Sequence, residues 1–402
     1  MLEFFKRNIK GDRVIWLIIG ALAIFSLMSV YSASGTLAYK YQGGNATHYL
    51  LRQAVLLLMG FFIVFIVHRI PYRYFSKLSL WAYYLAVFLL FVTLIWGMSL
   101  NQASRWIMLP GGISFQTSDF AKLALMMYLA RVLAIKEKEI KNLKTAFRLL
   151  FIPIILVCGL IMPADLSTAV LLFGTAVVLM IIGRVNIRYI GVLIGSAIVA
   201  GGLVIAVAFI SPETSRVGTW SQRITDFFNE ESEGNFQAEQ SKIAIATGGF
   251  IGKGPGNSVQ RNILPHPYSD FIFAIIIEEY GCLIGGLFLI SLFVYLFYRV
   301  VIIVRKVDRK FGAYVSIGLA AMLSFQAMAH MAVSVNIIPV TGQTLPLVSM
   351  GGSSIIITSL AFGVILSVSR EVMEREKIIA LENSTDEIEN QNLSPEVKNE
   401  MK

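Results

Sequence analysis

Long apolar runs constrain this chain more than any other feature of its sequence. Residues 78–96 contain no charged side chain, and residues 189–210 contain none either. A helix rises 1.5 Å per residue, so each run is long enough to cross a hydrocarbon core of roughly 30 Å. Lipid offers the backbone no hydrogen-bond partners, and a helix satisfies its own backbone. The sequence therefore predicts an all-α polytopic membrane protein and excludes an ordinary soluble domain.

Apolar segments recur along the chain and predict about ten membrane-spanning helices. We place them near residues 14–33, 51–68, 78–97, 118–135, 147–163, 166–184, 189–210, 270–298, 312–335 and 353–370. A large extracytoplasmic loop at 211–269 separates helices 7 and 8, and we expect it to hold partly ordered, interfacial structure. The transmembrane domain then covers residues 1–370. The acidic tail, 371–402, is expected to begin as a helical extension and to end disordered.

Basic residues lie in alternate short loops, which predicts the orientation of the chain. They cluster at residues 6–13, 69–77, 136–148, 184–188 and 305–310. Cytoplasmic loops carry such an excess of Lys and Arg. Both termini are therefore expected in the cytoplasm, with the chain in the cytoplasmic (inner) membrane. The net charge of +9 reflects this topology rather than binding to nucleic acid.

Four polar segments fall at the outer ends of the predicted spans and are expected to converge around one cavity. They cover residues 101–122, 162–169, 237–279 and 339–354. Asp270, at the start of the eighth span, is a candidate helix N-cap and a candidate catalytic carboxylate, and the two roles are compatible. Glu278 lies about two turns deeper, and the simplest interpretation is a carboxylate paired to another helix.

Glycines and cations on the outer face suggest contacts with an anionic ligand. Residues 248–256 resemble a phosphate-cradling loop but lack the Gly-Lys-Ser/Thr ending of a nucleotide site, so a plain cluster of turns is the alternative. Few cations are expected on this face. The candidates there, which either bind substrate or contact lipid head groups, are Arg105, Arg223, Lys242 and Lys253.

Two carboxylates near the outer face are candidate ligands for a divalent cation. Asp119 and Asp165 supply the oxygen atoms that Mg²⁺ or Mn²⁺ prefers. The alternative is a salt bridge between helices that also involves Lys122, since charges inside spans are normally paired. The sequence leaves both open, and no other cofactor is expected.

The ordered motifs resemble those of the SEDS family of shape, elongation, division and sporulation proteins, typified by FtsW, RodA and SpoVE. They read FQTSDFAK, PADLSTA, GGFIGKGPGNS, SDFIFAIIIEEYG and PVTGQTLPLVSMGGSS, and the resemblance spans residues 11–370. It implies ten transmembrane helices and peptidoglycan glycosyltransferase activity. The implied substrate is lipid II, a disaccharide-pentapeptide on a polyprenyl pyrophosphate, which is polymerised into glycan strands. The implied partners are a class B penicillin-binding protein (an FtsI-like transpeptidase) and other divisome membrane proteins.

The resemblance also carries site residues over to this sequence. Asp270 matches the family's essential aspartate, although Tyr268 and Ser269 precede it where His-Thr is usual. Asp119 stands where Glu is usual, which shortens its reach. The resemblance and the outer-face pattern together give these substrate-binding candidates: Arg52, Arg105, Lys122, Asp165, Arg223, Lys242, Thr341 and Ser353.

Within the family, residues 30–34 and 256–261 look more like the division members than the elongation members. A septal role is therefore favoured, and an elongation-type polymerase is the first alternative. A lipid II flippase would need polar residues inside the spans near the inner face, whereas intramembrane polarity here is biased outward. A non-catalytic divisome scaffold is the third alternative.

Overall fold

The computed structural model describes residues 10–35, 37, 39, 43, 45–100, 103–109, 113–210 and 233–392. Two helices contain a π-type turn, α5 at Phe147–Phe151 and α9 at Cys282–Leu287. The helices are α1 Arg13–Ala33, α2 Ala46–Val67, α3 Tyr72–Trp96, α4 Thr117–Ile135, α5 Leu143–Ile161, α6 Leu166–Ile182, α7 Ile187–Ile210, α8 Glu233–Gly248, α9 Ile272–Val304, α10 Lys310–Ser334 and α11 Gly352–Asn392.

All ten predicted spans coincide with helices, namely α1–α7 and α9–α11. In the described part of the chain, seven of them are long and apolar enough to cross a membrane: α1, α2, α3, α5, α9, α10 and α11. The apolar helices α6 and α7 are shorter there. The remaining helix, α4, carries Asp119 and Lys122. The chain is a multi-pass membrane protein whose candidate spans are all helices.

Helices α4, α10 and α11 form the centre of the bundle. Most of α4 is buried, including Asp119 and Lys122, and α10 and α11 are buried along most of their apolar length. Helix α3 is peripheral, with Trp81 and Phe88 exposed on its outer side. An apolar surface of this kind suits lipid. The polar residues of the bundle thus concentrate on its inner helices.

Small residues bring α2 and α11 into close contact. A Cβ added at Gly60 would lie 2.6 Å from Ser359 Oγ, and one added at Gly363 would lie 2.6 Å from Val67 Cβ. Membrane helices associate mainly through packing, so small residues at an interface let two backbones approach. This contact positions α11 against α2.

A three-stranded antiparallel sheet precedes α4 and was not predicted from the sequence. It comprises β1 Met98–Leu100, β2 Ala103–Leu109 and β3 Ile113–Gln116. Trp106 pairs with Met98 on one side and Gln116 on the other. The sequence does hold a hairpin signal, a Gly-Gly pair at 111–112 between two short runs. The prediction treated this stretch only as polar residues.

Two helical segments lie where the sequence predicted a long loop and a tail. Helix α8 lies within the long connection between α7 and α9, and it packs against α9. Helix α11 continues to Asn392, so the helical part of the tail extends well past residue 371. The disorder predicted for the end of the tail now concerns residues 393–402, which lie outside the described residues.

Candidate active site

The chain between α10 and α11 has no regular secondary structure over residues 339–351, here called the 339–351 segment. Irregular backbone at membrane depth must find its hydrogen-bond partners within the protein. Ser26 Oγ donates to Val348 O at 2.9 Å, and Gln326 Nε2 donates to Thr344 O at 2.9 Å. Side chains from α1 and α10 therefore hold this segment in one conformation.

A strained residue lies near the middle of the 339–351 segment. Leu347 is buried and has a φ of +61°, a left-handed conformation that a bulky side chain rarely adopts. Such a residue costs about 1–3 kcal/mol and persists only where its surroundings fix it. Ser349 supplies one constraint, because its Oγ accepts from Leu345 N at 2.8 Å. Strain of this kind clusters at ligand sites.

Asp270 does not cap α9, so that part of the sequence interpretation was wrong. The helix begins at Ile272, its N-cap residue is Phe271, and no side chain makes a capping hydrogen bond there. The carboxylate instead accepts from Ser269 Oγ at 2.7 Å through Oδ1. The Asp270 carboxylate is therefore not occupied by the amide N–H groups at the start of α9 and can interact with other groups.

The Asp270 carboxylate faces the 339–351 segment. A Cβ added at Gly342 would lie 3.7 Å from Asp270 Oδ2, and Gly342 has a φ of +67°. The residues before Asp270 are also tied to the segment. Met350 N donates to Tyr268 O at 3.0 Å, and Ser349 Oγ donates to Ser269 O at 2.8 Å. Asp270 is only partly buried, so a ligand can approach its carboxylate.

Lys122 connects α4 to α10 beneath this segment. Its Nζ lies 2.8 Å from Asp119 Oδ1 and donates to Gln326 Oε1 at 3.1 Å. Gln326 in turn donates to Thr344 O. The ion pair joins two residues of one helix, whereas the sequence predicted a salt bridge between helices. A salt bridge between helices that involves Asp165 stays a prediction. The pair is buried, and its geometry depends on the fit between α4 and α10.

The first turn of α6 contacts the same segment. Asp165 caps α6 by accepting from Thr168 N at 3.0 Å. Gln343 Nε2 donates to Thr168 Oγ1, and the His330 ring bonds Gln343 O at 2.7 Å. A carbonyl only accepts, so His330 Nδ1 carries the proton and Nε2 of a neutral ring is an acceptor. The following buried or half-buried side chains form what we call the polar hub: Asp119, Lys122, Gln326, His330, Gln343 and Thr344.

Several buried polar atoms around the hub have no hydrogen-bond partner in the described part of the chain. They are Asp119 Oδ2, His330 Nε2, Thr341 Oγ1 and Ser353 Oγ. Buried polar atoms are normally paired, so each exception calls for an explanation such as a ligand or a water. Thr341 and Ser353 were predicted as binding residues. His330 and Gln326 were not predicted, although their spacing of four residues on α10 places both on one face of that helix.

The other predicted binding residues lie farther from the hub or outside the described structure. Arg52 is exposed on α2, whereas its neighbour Gln53 is buried and donates to Ser26 Oγ at 2.7 Å. Lys242 is exposed on α8. Arg105 is on strand β2, but its side chain lies outside the described part of the structure, and so does the whole of Arg223. The substrate contacts of these four remain predictions.

The two candidate metal ligands have other partners here. Asp119 is bonded to Lys122, and Asp165 caps α6. Among the described residues, no group of three or more His, Cys, Asp or Glu side chains is arranged to hold a metal ion. Asp119 Oδ2 nevertheless remains open within that part of the chain. A divalent cation held with the help of a substrate's own oxygens stays a prediction.

Residues 248–256, here called the glycine loop, pack against the backbone of α9. Lys253 N donates to Glu278 O and Gly254 N donates to Glu279 O, both at 2.9 Å. A Cβ added at Gly252 would lie 2.3 Å from Glu279 O. The glycines thus permit close contact between two backbones. Amides already bonded to carbonyls cannot cradle a phosphate, which favours the turn-cluster interpretation.

Glu278 fixes the glycine loop and the residues that follow it. Its buried carboxylate pairs with Lys253 Nζ at 2.6 Å and accepts from Ser258 Oγ. It also accepts from Val259 N at 3.1 Å and Gln260 N at 3.2 Å. The predicted structural role fits, but the partner is this loop and not another helix.

These features together define a class of protein. A bundle of apolar helices surrounds a buried polar hub, and a partly open carboxylate lies at the edge of that hub. Such an arrangement is typical of a polytopic membrane enzyme that acts at one end of its bundle. The chain belongs to the family of cell cycle proteins that groups FtsW, RodA and SpoVE, whose family model matches residues 12–374.

Curated relatives and solved structures agree with this family. A protein of Coxiella burnetii named "Probable peptidoglycan glycosyltransferase FtsW" is 33% identical over 378 residues, covering 91% of this chain and 98% of the relative. A protein of the same name from Trichlorobacter lovleyi is 31% identical over 379 residues, covering 92% and 96%.

Two solved structures share the fold of this chain. One comes from work titled "Structural coordination of polymerization and crosslinking by a peptidoglycan synthase complex", and it matches with a TM-score of 0.70 at 24% identity, covering 90% of this chain and 98% of that one. The rod shape determining protein RodA of Thermus thermophilus matches with a TM-score of 0.64 at 23% identity, covering 90% and 97%. At these identities the likeness concerns the fold.

Proposed function

We propose that this chain is a peptidoglycan glycosyltransferase of the FtsW type, which polymerises lipid II into glycan strands for septal wall synthesis. The relatives that share most of its length carry the name peptidoglycan glycosyltransferase FtsW. The observation that carries the mechanism is the position of Asp270. Its carboxylate is partly exposed and lies against the 339–351 segment, where Gly342 leaves room beside Oδ2.

The reaction is a single displacement in which Asp270 acts as the general base. The sugar 4-hydroxyl of the acceptor approaches Asp270 and attacks the anomeric carbon of the donor. A new oxygen–carbon bond forms, the bond from that carbon to the pyrophosphate breaks, and the hydroxyl proton passes to the Asp270 carboxylate. The polyprenyl pyrophosphate leaves with the bonding electron pair. No covalent intermediate on the protein is required.

Charge that develops on the leaving group needs stabilisation by fixed donors or cations. Lys122 is the buried cation of the polar hub, and its hydrogen bond to Gln326 fixes its position. Thr341 Oγ1 and Ser353 Oγ are hydroxyls that have no partner within the described residues. We assign these three to the pyrophosphate and sugar contacts. A divalent cation near Asp119 would add to this stabilisation.

The test is polymerisation of fluorescent lipid II by the purified protein with its transpeptidase partner. Asp270→Asn keeps the shape of the side chain and removes the base, so glycan chains should fall by about 10²–10⁴-fold. Asp308→Asn makes the same change at an exposed site and should leave the rate unchanged. Normal polymerisation by Asp270→Asn would remove Asp270 from this role. A parallel reaction with chelator reports on the cation.

The same proposal places the protein in the cytoplasmic membrane at the division septum, with both termini in the cytoplasm. The alternation of basic loops supports this orientation, and Arg73, Arg131, Arg309 and Arg370 lie around one cavity at a single end of the bundle. The partner is a class B penicillin-binding protein. The variant Lys144→Cys tests the orientation, because a thiol reagent that cannot cross the membrane should label this exposed position only from the cytoplasmic side. Co-purification with a septal transpeptidase, rather than with its elongation counterpart, tests the division role.

A further inference from the structure

A large cavity opens at the basic end of the bundle, opposite the candidate active site. Its volume is about 850 Å³, and it lies where α3 begins, α4 ends, α10 begins and α11 leaves the bundle. That volume is in the range of small-molecule sites. The mechanism proposed above makes no use of this cavity.

Positive charge dominates the cavity wall. Five cations and two carboxylates line it. Both carboxylates are already paired, since Glu371 Oε1 lies 3.3 Å from Arg73 Nη2 and Glu374 Oε1 lies 2.8 Å from Lys10 Nζ. Arg370 Nε lies 3.9 Å from Glu374. The charge of the remaining cations is therefore not balanced by these two carboxylates.

Three cations remain for a ligand: Lys77, Arg131 and Arg309. No carboxylate of the described residues forms an ion pair with any of them. Arg131 Nη1 donates to the backbone oxygens of Ser76 and of Lys77, the second at 3.2 Å. These neutral acceptors orient the guanidinium without cancelling its charge. An oriented guanidinium beside two further cations is suited to a phosphate group.

Apolar side chains also line the cavity, and Tyr74 and Ile135 among them are exposed. The rings of Tyr72 and Phe311 stack with their centroids 6.4 Å apart and their planes 27° apart, and Ile135 lies in the same wall. A phosphate bound by the cations would have apolar surface directly beside it. An amphiphile with an anionic head fits both parts, whereas a free inorganic anion would use only the first.

We propose that this cavity binds the phosphate group of an anionic phospholipid from the adjacent membrane leaflet. Basic pockets between spans commonly recognise anionic head groups in this way. The bound lipid would join α3, α4, α10 and α11 at the end of the bundle where α11 leaves the membrane. This assignment does not depend on the glycosyltransferase proposal, because the residues that line the cavity take no part in the proposed reaction.

Native mass spectrometry of the purified full-length protein counts the phosphatidylglycerol molecules that it retains. Phosphatidylcholine, which has no net charge, serves as the comparison lipid. The double variant Lys77→Gln/Arg309→Gln should lose at least about fivefold in retained phosphatidylglycerol. A fivefold loss corresponds to about 1 kcal/mol. The matched control, Lys144→Gln/Arg305→Gln, removes one Lys and one Arg at the same end of the bundle but away from the cavity. It should retain wild-type levels.

Other outcomes would overturn the proposal. If both double variants lost the same amount of phosphatidylglycerol, only the general charge of this face would attract the lipid. If Lys77→Gln/Arg309→Gln retained as much phosphatidylglycerol as the wild type, the cavity would not be the site. Inorganic phosphate that displaces the lipid at a similar concentration would assign the site to free phosphate. If the double variant fails to fold, Arg309→Gln alone must still lose phosphatidylglycerol while Arg309→Lys keeps it.

Discussion

Asp270 and Glu278 lie eight positions apart on either side of the start of α9, yet their surroundings differ. Glu278 is fully buried and accepts from Lys253, Ser258 and two backbone amides. Asp270 is partly exposed, and the hydrogen bond to its carboxylate that the structure describes comes from the neighbouring Ser269. A carboxylate whose oxygens are all occupied stabilises a fold, whereas one with an open oxygen can take a proton.

The same difference separates the two regions to which these carboxylates belong. The glycine loop satisfies its polar groups with the backbone of α9, while the polar hub leaves buried atoms such as His330 Nε2 without a partner in the described residues. Both regions looked functional in the sequence, since both hold glycines, cations and carboxylates. The hub holds buried polar atoms without a partner in the described residues and contacts a segment that contains the strained Leu347, a pattern expected of a ligand site.

The largest effect on stability is expected at the centre of the hub. Lys122→Met leaves the Asp119 carboxylate buried without its partner, which costs about 3–5 kcal/mol. The thermal unfolding midpoint in detergent should fall sharply. Asp119→Asn/Lys122→Met removes the stranded charge and should recover part of the loss. If Lys122→Met were as stable as the wild type, this would contradict the buried ion pair between Asp119 and Lys122.

A smaller effect is expected in the glycine loop. Gly252→Ala adds a methyl group 2.3 Å from Glu279 O at a φ of +89°, and it should cost about 3 kcal/mol. Gly256→Ala is the matched control, because its φ is +80° but nothing lies within 4 Å of the added Cβ. It should cost about 1–2 kcal/mol. If Gly252→Ala left stability intact but raised the KM for lipid II, the loop would bind substrate after all.

The smallest of the three effects concerns Glu278 itself. Glu278→Gln removes the charge that Lys253 and the amides contact, which should lower the free energy of unfolding by about 2 kcal/mol. Glu376→Gln is the control, since Glu376 forms an exposed ion pair with Lys306. Exposed pairs contribute about 0–1 kcal/mol, so this variant should unfold near the wild-type midpoint. If both variants had the same thermal unfolding midpoint, Glu278 would not anchor the glycine loop.

The sequence predicted the helices well and the site only in part. Each predicted span coincides with a helix, because a helix satisfies its own backbone where lipid offers no hydrogen-bond partners. Asp270, Thr341 and Ser353 came from motifs, and the structure places them at or beside the 339–351 segment. The sheet before α4 was missed, since its strands are short and sit between polar residues.

What the sequence did not predict depends on contacts between distant parts of the chain. His330 and Gln326 lie four positions apart on α10, and only folding brings them to Gln343 and Thr344. The docking of the glycine loop on α9 has the same origin, because one glycine cluster can serve as a cradle or as a contact surface. Composition cannot separate these two roles.

The central claim is that Asp270 acts in the chemistry while Glu278 acts in the fold. The most direct measurement compares Asp270→Asn with Glu278→Gln in one lipid II polymerisation assay, with each rate divided by the amount of folded protein. Asp270→Asn should be as stable as the wild type yet polymerise at about 1% of its rate or less. Glu278→Gln should unfold at a lower temperature but polymerise at a near-normal rate per folded molecule. An active Asp270→Asn beside a folded but inactive Glu278→Gln would contradict the account.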